Sequence, residues 1–327
     1  MIFIINIQGV TVLIPEHLIE KFQLQKHPEG GYFKELYRDS TMIDFGEKYN
    51  GKMRHLLTSI YFLLKEEEQS ALHVIKNSTE IWYYHAGCPV QITIIDPTTG
   101  LIEKAIIGNP IDGYNAQYIV PGDKWFGAEC LDKKGYSLVG CTVTPGFDFR
   151  DFSLVTEDQL LKILPNPPIE ILNLLHVNVD INLSDIVNAP ADKIWSIISD
   201  FNALPKWHPA ITDSFIEPGK ANGELGCIRN FNLKNNGGNI REELIILDDK
   251  KFLVKYKILN SPMLLSNYEA ILKLEHLDSE KTKIIWECNF GCHLKYKKYL
   301  QNTISSNVFR AGFEALKKQF QLSHHQA

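Results

Sequence analysis

Three prolines within four residues, Pro165, Pro167 and Pro168, interrupt the chain near its middle. Proline lacks a backbone N–H and disfavours a helical conformation at the residue before it, so the helical pattern TEDQLLKIL that precedes this run must end there. Each side has its own periodic apolar segments, and 327 residues suffice for about two domains. The predicted division is a first domain over residues 1–164, a linker over 165–176 and a second domain over 177–327.

The net charge and the cysteine pattern indicate which kinds of partner the protein can bind and in which compartment it is expected. Lys and Arg total 34 against 39 Asp and Glu, a net charge of −5, and the basic residues form no block. A slightly acidic chain of this kind is not expected to bind nucleic acid or an anionic membrane. None of the six cysteines belongs to a C-x-x-C pair, a pattern typical of free thiols in a reducing compartment. We therefore expect a cytoplasmic protein.

The first fourteen residues, MIFIINIQGVTVLI, are apolar but lack the positively charged start of a targeting segment. The stretch is too short to span a bilayer, and Asn6 and Gln8 interrupt it. We expect an edge strand here, or a poorly ordered extension, and no membrane partner.

The first half is dominated by short alternating runs of apolar and polar residues. After a helix predicted from Pro15 to about Leu24, these runs are separated by turn signals such as DPTTG, GNPIDG and VPGD. Strands at this spacing, with helices only at the ends, indicate a closed or sandwiched all-β domain.

Two stretches of the first half contain residues suited to chemistry. His73 and Glu80 flank a turn, and strand alternation places Glu80, Trp82 and Tyr84 on one face. The other stretch is the run HPEGGYFKELYR at residues 27–38. Its charged side chains are interpreted as a structural polar network or part of a dimer edge: Glu29, Lys34, Glu35 and Arg38.

Residues from about 14 to 163 resemble the cupin family formerly called DUF985. The segments that carry the resemblance are HPEGGYFKELYR, TSIYFLL, EIWYYHAG and LVGCTVTPGFDF. The resemblance implies a small jelly-roll β-barrel with a ligand cavity, and a homodimer formed through this half. The biochemical activity of the family is unsettled, so the resemblance implies a fold more than a reaction.

The general cupin metal motif, H-x-H-x₃₋₄-E-x₆-G, is incomplete in this chain. His73, Glu80 and Gly87 keep the spacing, but Ile75 replaces the second histidine, and Phe126 stands where the second cupin motif has its histidine. A transition metal needs three or four protein ligands to be held firmly. We expect no metal and no other cofactor, with His73 and Glu80 as the only candidate metal ligands.

Two interpretations of the first cavity remain open. Metal-free cupins related to sugar-nucleotide epimerases use a histidine base and a tyrosine acid, which by resemblance gives His73 and Tyr84 as catalytic residues. Alternatively, Trp82, Tyr84 and Trp125 line a packed barrel, and Glu80 binds a ligand by hydrogen bonding.

The second half combines antiparallel strands with a long closing helix. The strand VNVDINLSDIV leads into a helix, the turn-rich segment ALPKWHPAITD follows, and five alternating strands come next. An amphipathic helix is predicted from about Tyr299 to Phe320. This order indicates an α+β helix-grip domain, in which the sheet curls around the helix.

Charged residues interrupt two otherwise apolar strand faces of this half. Arg229 shares its face with Cys227 and Phe231, and Glu242 lies among Ile240 and Leu244. Such groups must pair with each other, meet a polar ligand or remain solvated. A structural cross-strand pair and a role in orienting a ligand are both kept as hypotheses. The other candidate ligand-binding residues are Trp207, His208, Tyr256, Tyr268 and Trp286.

Residues 178 to about 322 resemble the SRPBCC superfamily (START-like, Bet v 1-like, polyketide cyclase/dehydrase), including its abscisic-acid receptor-like branch. The segments that carry the resemblance are NAPADKIW, DF, LPKWHP, SPM and NY. The resemblance implies a deep cavity between sheet and helix that binds lipids, hormones or polyketides, with Trp207 and His208 at its mouth. The hormone receptors' cavity lysine is not evident, because Cys227 or Arg229 occupies that strand, so hormone specificity is not carried over.

Taken together, these patterns predict a two-domain protein that binds a small molecule, lipid-like or sugar-like. The second cavity is expected to be hydrophobic and the first to be metal-free. The alternative is an enzyme, either an isomerase or epimerase or a cyclase, acting on a sugar-like or polyketide-like substrate.

Overall fold

A computed structural model describes residues 5–7, 10–12, 15–65, 68–132 and 135–323. The chain forms two compact units, Met1–His176 and Val177–Ala327, and each unit has its own apolar core. None of the helices within the described ranges combines the length and apolar character needed to cross a membrane.

The first unit is built almost entirely from antiparallel strands. The strands are β1 Ile5–Ile7, β2 Val10–Val12, β3 Gln25–Lys26, β4 Tyr32–Arg38, β5 Met42–Ile43, β6 Arg54–His55, β7 Thr58–Lys65, β8 Gln69–Ile75, β9 Thr79–Gly87, β10 Val90–Ile95, β11 Ile102–Ile107, β12 Gln117–Val120, β13 Trp125–Cys130, β14 Tyr136–Thr144 and β15 Phe152–Leu154. A five-stranded sheet has the order β11-β10-β13-β8-β15, and a six-stranded sheet has the order β12-β9-β14-β7-β4-β3. The helices are α1 Pro15–Phe22, α2 Glu157–Ile163 and α3 Ile169–Leu172, with 3₁₀ turns at Gly46–Tyr49 and Pro110–Asp112.

Apolar side chains from both sheets meet in the core of this unit. Phe62, Trp82 and Phe126 are its largest fully buried members. Among the described residues, the α-helices of this unit lie near its ends, as the sequence predicts. Within the first fourteen residues, β1 and β2 pair with each other, and the remainder of the stretch expected to form an edge strand or an extension lies outside the described residues.

The proline run packs as part of the first unit. Helix α2 begins with a capping box, in which Thr156 accepts a hydrogen bond from Gln159 N–H and the Gln159 side chain accepts one from Thr156 N–H. After the prolines, the Leu174 carbonyl accepts a 2.7 Å hydrogen bond from the Leu72 amide of β8. Ile171, Leu174 and Leu175 are buried. These contacts extend the packed structure of the first unit past residue 164.

The second unit is a seven-stranded antiparallel sheet with helices. The strands are β16 His176–Val187, β17 Ile211–Ile216, β18 Ile228–Leu233, β19 Asn239–Asp248, β20 Leu253–Asn260, β21 Ser266–Asp278 and β22 Lys281–His293. Their order in the sheet is β16-β22-β21-β20-β19-β18-β17. The helices are α4 Ala191–Ile198, α5 Leu204–Trp207, α6 Leu294–Asn302 and α7 Ala311–Ser323. Five strands were expected after the turn-rich segment, but β17 adds a sixth.

The C-terminal helix, residues 294–323, differs from the expected helix in its start and its winding. It begins at Leu294, and a π-helical stretch at Thr303–Arg310 joins α6 to α7. Phe309 of this stretch stacks on Trp286 of β22, with ring centroids 4.6 Å apart. Phe313 and Leu316 continue the buried face, so the helix packs against the sheet along its length.

Truncation at the proline run tests where the first unit ends. A fragment of residues 1–164 lacks the buried Ile171, Leu174 and Leu175 side chains, and fully burying one such side chain contributes roughly 1.5–3 kcal/mol. We expect the 1–176 fragment to be more stable than the 1–164 fragment by at least about 3 kcal/mol in urea denaturation followed by circular dichroism. Equal stability at equal protein concentration would show that the proline run does not contribute to this unit.

Candidate functional site

The second unit encloses a cavity between its sheet and its C-terminal helix. Strands β18 to β22 supply one wall, Ile304 and Val308 of the helix supply the other, and the segment 204–211 closes one side. The space free of protein atoms amounts to about 530 Å³, including the part open to solvent. The lining is mainly apolar, and six of the residues predicted from the sequence belong to it: His208, Arg229, Glu242, Tyr256, Tyr268 and Trp286.

Arg229 and Glu242 form a direct cross-strand pair in this lining. They face each other in the register of β18 and β19, and both are 5% exposed. Arg229 Nε donates to Glu242 Oε2 at 3.2 Å, and Nη2 donates to the same oxygen. Arg229 Nη1 donates to the Phe201 carbonyl at 2.5 Å. The pair therefore also connects the sheet to the segment that follows α4.

Aromatic rings surround the Arg229 guanidinium. Its central carbon lies 4.0 Å from the Phe201 ring centroid and 5.5 Å from those of Phe231 and Tyr256. Contacts between a cation and aromatic ring faces favour the charged form in a site that excludes water. Burial raises the pKa of Glu242 above its ordinary value, and the Arg229 charge and hydrogen bonds oppose that rise.

His208 has both ring nitrogens occupied. Its Nε2 donates to the Val308 carbonyl at 2.9 Å, and its Nδ1 accepts from the Ala210 amide at 3.3 Å. One nitrogen donates and the other accepts, so the ring is the neutral tautomer. Burial lowers its pKa, which agrees with this form. His208 lines the cavity with its ring while holding the C-terminal helix to the segment 204–211.

The remaining aromatic candidates of the second unit lie close to one another. Trp286 Nε1 donates to the Tyr256 hydroxyl at 2.9 Å, and the ring centroids of Tyr256 and Tyr268 are 6.5 Å apart. Trp207 is buried but is not one of the residues that line the cavity. Its ring centroid lies 5.5 Å from that of His208 and 6.1 Å from that of Trp286.

Close packing at Gly312 fixes the helix against these rings. A Cβ at this position would lie 2.9 Å from Trp286, 3.1 Å from His208 and 3.2 Å from Trp207. A side chain would therefore push the helix away from the wall of the cavity.

In the first unit, His73 contacts Glu29 rather than a second cupin histidine. His73 Nε2 lies 3.3 Å from Glu29 Oε2, and His27 Nδ1 lies 3.4 Å from the same oxygen. His73 Nδ1 lies 2.7 Å from the Ala71 carbonyl and must donate to it, since a carbonyl only accepts. Ser70 donates to Glu29 Oε1 at 3.0 Å.

These contacts bring three hydrogen-bond acceptors to one point. The neutral His73 ring presents a lone pair on Nε2, and His27 Nδ1 already accepts from the Glu29 amide at 3.4 Å. A proton on Glu29 resolves the conflict, because the carboxyl then donates to an imidazole. Burial and the neighbouring Glu80 raise the pKa of Glu29 well above its ordinary value. Burial lowers the pKa of His27 to about 3 and that of His73 to about 4.

Sequence reasoning missed the part that His27 and Glu29 play in this cluster. The turn that places them depends on Gly31, at φ 68°, where a Cβ would lie 2.7 Å from the Leu63 carbonyl. The Glu29 carbonyl accepts a 2.7 Å hydrogen bond from the Ala71 amide, so the turn docks on β8. The paired glycines after Glu29 in the HPEGG run are the signal that indicates such a turn.

The other predicted residues of the first unit occupy different positions. Glu80 and Trp82 are buried on β9, as alternation predicts. The Tyr84 hydroxyl, by contrast, donates to the Gly87 carbonyl at 2.5 Å. Trp125 is half-buried and precedes Phe126, whose ring centroid lies 4.1 Å from that of His73. Strand alternation therefore directs Trp125 away from His73.

A metal site does not emerge from these contacts. Across the described ranges, no group of three or more His, Cys, Asp or Glu side chains is arranged to hold a metal ion. The two histidines and Glu29 converge through a single carboxyl oxygen, and Ile75 and Phe126 lie where the general cupin pattern has imidazoles.

Breaking the buried ion pair tests its energetic role. Arg229→Met strands the Glu242 charge and should destabilise the second unit by about 3 kcal/mol, whereas Arg229→Met/Glu242→Leu should return to within about 1 kcal/mol of the unchanged protein. Arg241→Met is the matched control, because Arg241 lies on β19 next to Glu242 and pairs with Glu217, both side chains being partly exposed. Such pairs contribute less than about 1 kcal/mol. Urea denaturation measures all three. A loss in the single variant no larger than in the control would contradict this prediction.

The buried carboxyl of Glu80 predicts a pH dependence of stability. Burial raises the pKa of Glu80 from 4.5 to about 7. The folded state then binds more protons than the unfolded state between these values, so the stability from this group is complete below about pH 4.5 and is lost as the pH rises through about 7.

Glu80→Gln should remove that loss. Between pH 5 and pH 7 the unfolding free energy of the variant should rise by about 2 kcal/mol relative to the unchanged protein, at about 1.4 kcal/mol per pH unit. Calorimetry of both proteins across this range measures the difference. A difference that stays constant with pH would show that Glu80 is not protonated in the folded state.

Two family models match the chain, one for each unit. Residues 16–155 match the cupin superfamily (DUF985), and residues 178–321 match the family described as polyketide cyclase/dehydrase and lipid transport. The resemblances inferred from the sequence are thereby confirmed for both halves.

Individual relatives also match one half at a time. The uncharacterized protein YML079W of Saccharomyces cerevisiae is 29% identical over 164 residues, covering 46% of this chain and 80% of the yeast protein. The abscisic acid receptor PYL7 of Arabidopsis thaliana is 29% identical over 107 residues, covering 31% of this chain and only 48% of the receptor. The solved structure of a hypothetical protein from Leishmania major is 38% identical, covers 49% of this chain and 98% of that protein, and has a TM-score of 0.44. The chain thus joins a segment that matches the cupin superfamily (DUF985) to one that matches the polyketide cyclase/dehydrase and lipid transport family.

Proposed function

We propose that the second unit binds a small, mainly apolar molecule in the cavity between its sheet and its C-terminal helix. The observation that carries this proposal is the lining of the cavity, which is mainly apolar and contains a single buried ion pair. Small-molecule sites in proteins combine apolar walls with a few placed polar groups in this way.

The polar contacts in the lining favour binding over catalysis. A general base must present a lone pair to its substrate. His208 uses both nitrogens in hydrogen bonds to the protein backbone, so it has no lone pair for a substrate. Glu242 is ion-paired with Arg229, and taking up a proton would leave the buried Arg229 charge without its partner. These groups hold the wall in place, so their chemistry supports a carrier or a ligand sensor.

The comparisons support the same class of function. One matched family is described by lipid transport, and one relative is named as a receptor for abscisic acid. Both descriptions name a lipid or small-molecule ligand. We infer that the second unit folds as a helix-grip domain around such a ligand. We further infer that the first unit closes as a jelly roll and pairs two chains in the cytoplasm.

Binding of a neutral apolar dye, measured before and after a substitution fills the cavity, tests the proposal. The unchanged protein should bind N-phenyl-1-naphthylamine with enhanced fluorescence. Val308→Trp places a large ring in the cavity and should weaken the affinity at least tenfold, since the volume that the dye needs is taken. Ile246→Trp adds the same ring at a residue that is 41% exposed and should leave the affinity unchanged. Equal binding by both variants would place the dye outside the cavity and refute the proposal.

A further inference from the structure

The charged groups in the lining of the second cavity cancel each other. Arg229 and Glu242 contribute one positive and one negative charge and are bonded directly. His208 is neutral, because one of its nitrogens donates and the other accepts. An ionic ligand would therefore enter an apolar space with no opposite net charge to compensate for its lost hydration.

Glu242 offers the cavity a hydrogen-bond acceptor. Both hydrogen bonds from Arg229 end on Oε2, and no hydrogen bond found among the described residues ends on Oε1. Because Glu242 lines the cavity, Oε1 is the carboxylate oxygen available to an occupant. A ligand group that uses this oxygen must donate a proton.

Tyr256 offers the cavity a donor beside that acceptor. Its oxygen accepts from Trp286 Nε1 at 2.9 Å, which leaves its own hydroxyl proton free to donate. Tyr256 pairs with Leu244, two residues from Glu242 on the neighbouring strand. Diagonal neighbours of this kind lie about 7–8 Å apart at the backbone, within reach of long side chains.

We propose that the cavity selects an uncharged apolar molecule carrying a hydroxyl group, which donates to Glu242 and accepts from Tyr256. This inference rests on the proposed binding function and adds the chemical class of the ligand. Unlike a hydroxyl group, a carboxylate has no proton to donate and would meet the Glu242 carboxylate. An ammonium group would meet the Arg229 charge and has no lone pair to accept from Tyr256.

Four probes of one chain length test this selectivity with the full-length protein at pH 7. Octan-1-ol carries the hydroxyl group, and octanoate and octylammonium carry the two opposite charges. The fourth probe, 1-methoxyheptane, is an isomer of octan-1-ol that accepts a hydrogen bond but donates none. Titration calorimetry should show octan-1-ol binding at least tenfold tighter than either ion and about three- to tenfold tighter than the ether.

Two variants connect the selectivity to its residues. Tyr256→Phe should weaken octan-1-ol binding about threefold or more, because the donor is lost while the ring remains. Arg229→Met/Glu242→Leu removes the acceptor without stranding a charge, and should abolish the preference for octan-1-ol over the ether.

The possible results distinguish a failure of the proposed ligand selectivity from a failure of the proposed binding function. Octanoate or octylammonium binding as tightly as octan-1-ol would overturn the selectivity and leave the binding function standing. Failure of all four probes while N-phenyl-1-naphthylamine binds would also overturn the selectivity. Failure of the dye together with all four probes would refute the binding function itself.

Discussion

The hydrogen bonds between Arg229 and Glu242 are the constraint that sets the chemistry of the second cavity. They join β18 to β19, and through the Phe201 carbonyl they hold the segment after α4 against the sheet. Two buried charges are stable in such surroundings only as a bonded pair, because either one alone would be costly to desolvate. The pair therefore provides polar groups in an apolar cavity, while the net charge of the cavity lining stays at zero.

One cluster of the first unit buries charge-bearing groups by a different route. His27, Glu29 and His73 meet with three acceptor atoms around one proton, so each group is held in its neutral form. Neutral imidazoles and a neutral carboxyl need hydrogen bonds but no counter-ion. Apolar side chains such as Phe126 and Ile75 can therefore pack near this cluster, whereas charged groups there would require further partners.

Strand alternation was sufficient to predict the strand residues of the second cavity and insufficient for the residues of the first. Alternation depends only on neighbours in sequence, and it placed Arg229, Glu242 and Tyr256 on inward faces. It says nothing about which distant segments meet, so the contact between Glu29 and His73 was not predictable from it. Strand β17 was missed because its alternation is short and follows a proline-containing turn. Apolar spacing also could not locate the start of the C-terminal helix at Leu294, where the first turns are mostly polar.

The π-helical stretch at Thr303–Arg310 determines how the rest of that helix is rotated. Each residue of a regular α-helix turns the chain by about 100°, so the wider winding of this stretch changes the direction of every later side chain. With this winding, Gly312 faces Trp286 and His208 at a distance where no side chain would fit. If the same residues wound as a regular α-helix, Gly312 would turn away from these rings, although the apolar composition of the helix would be unchanged. The fit of the helix against the cavity wall therefore depends on its winding as well as on its hydrophobicity.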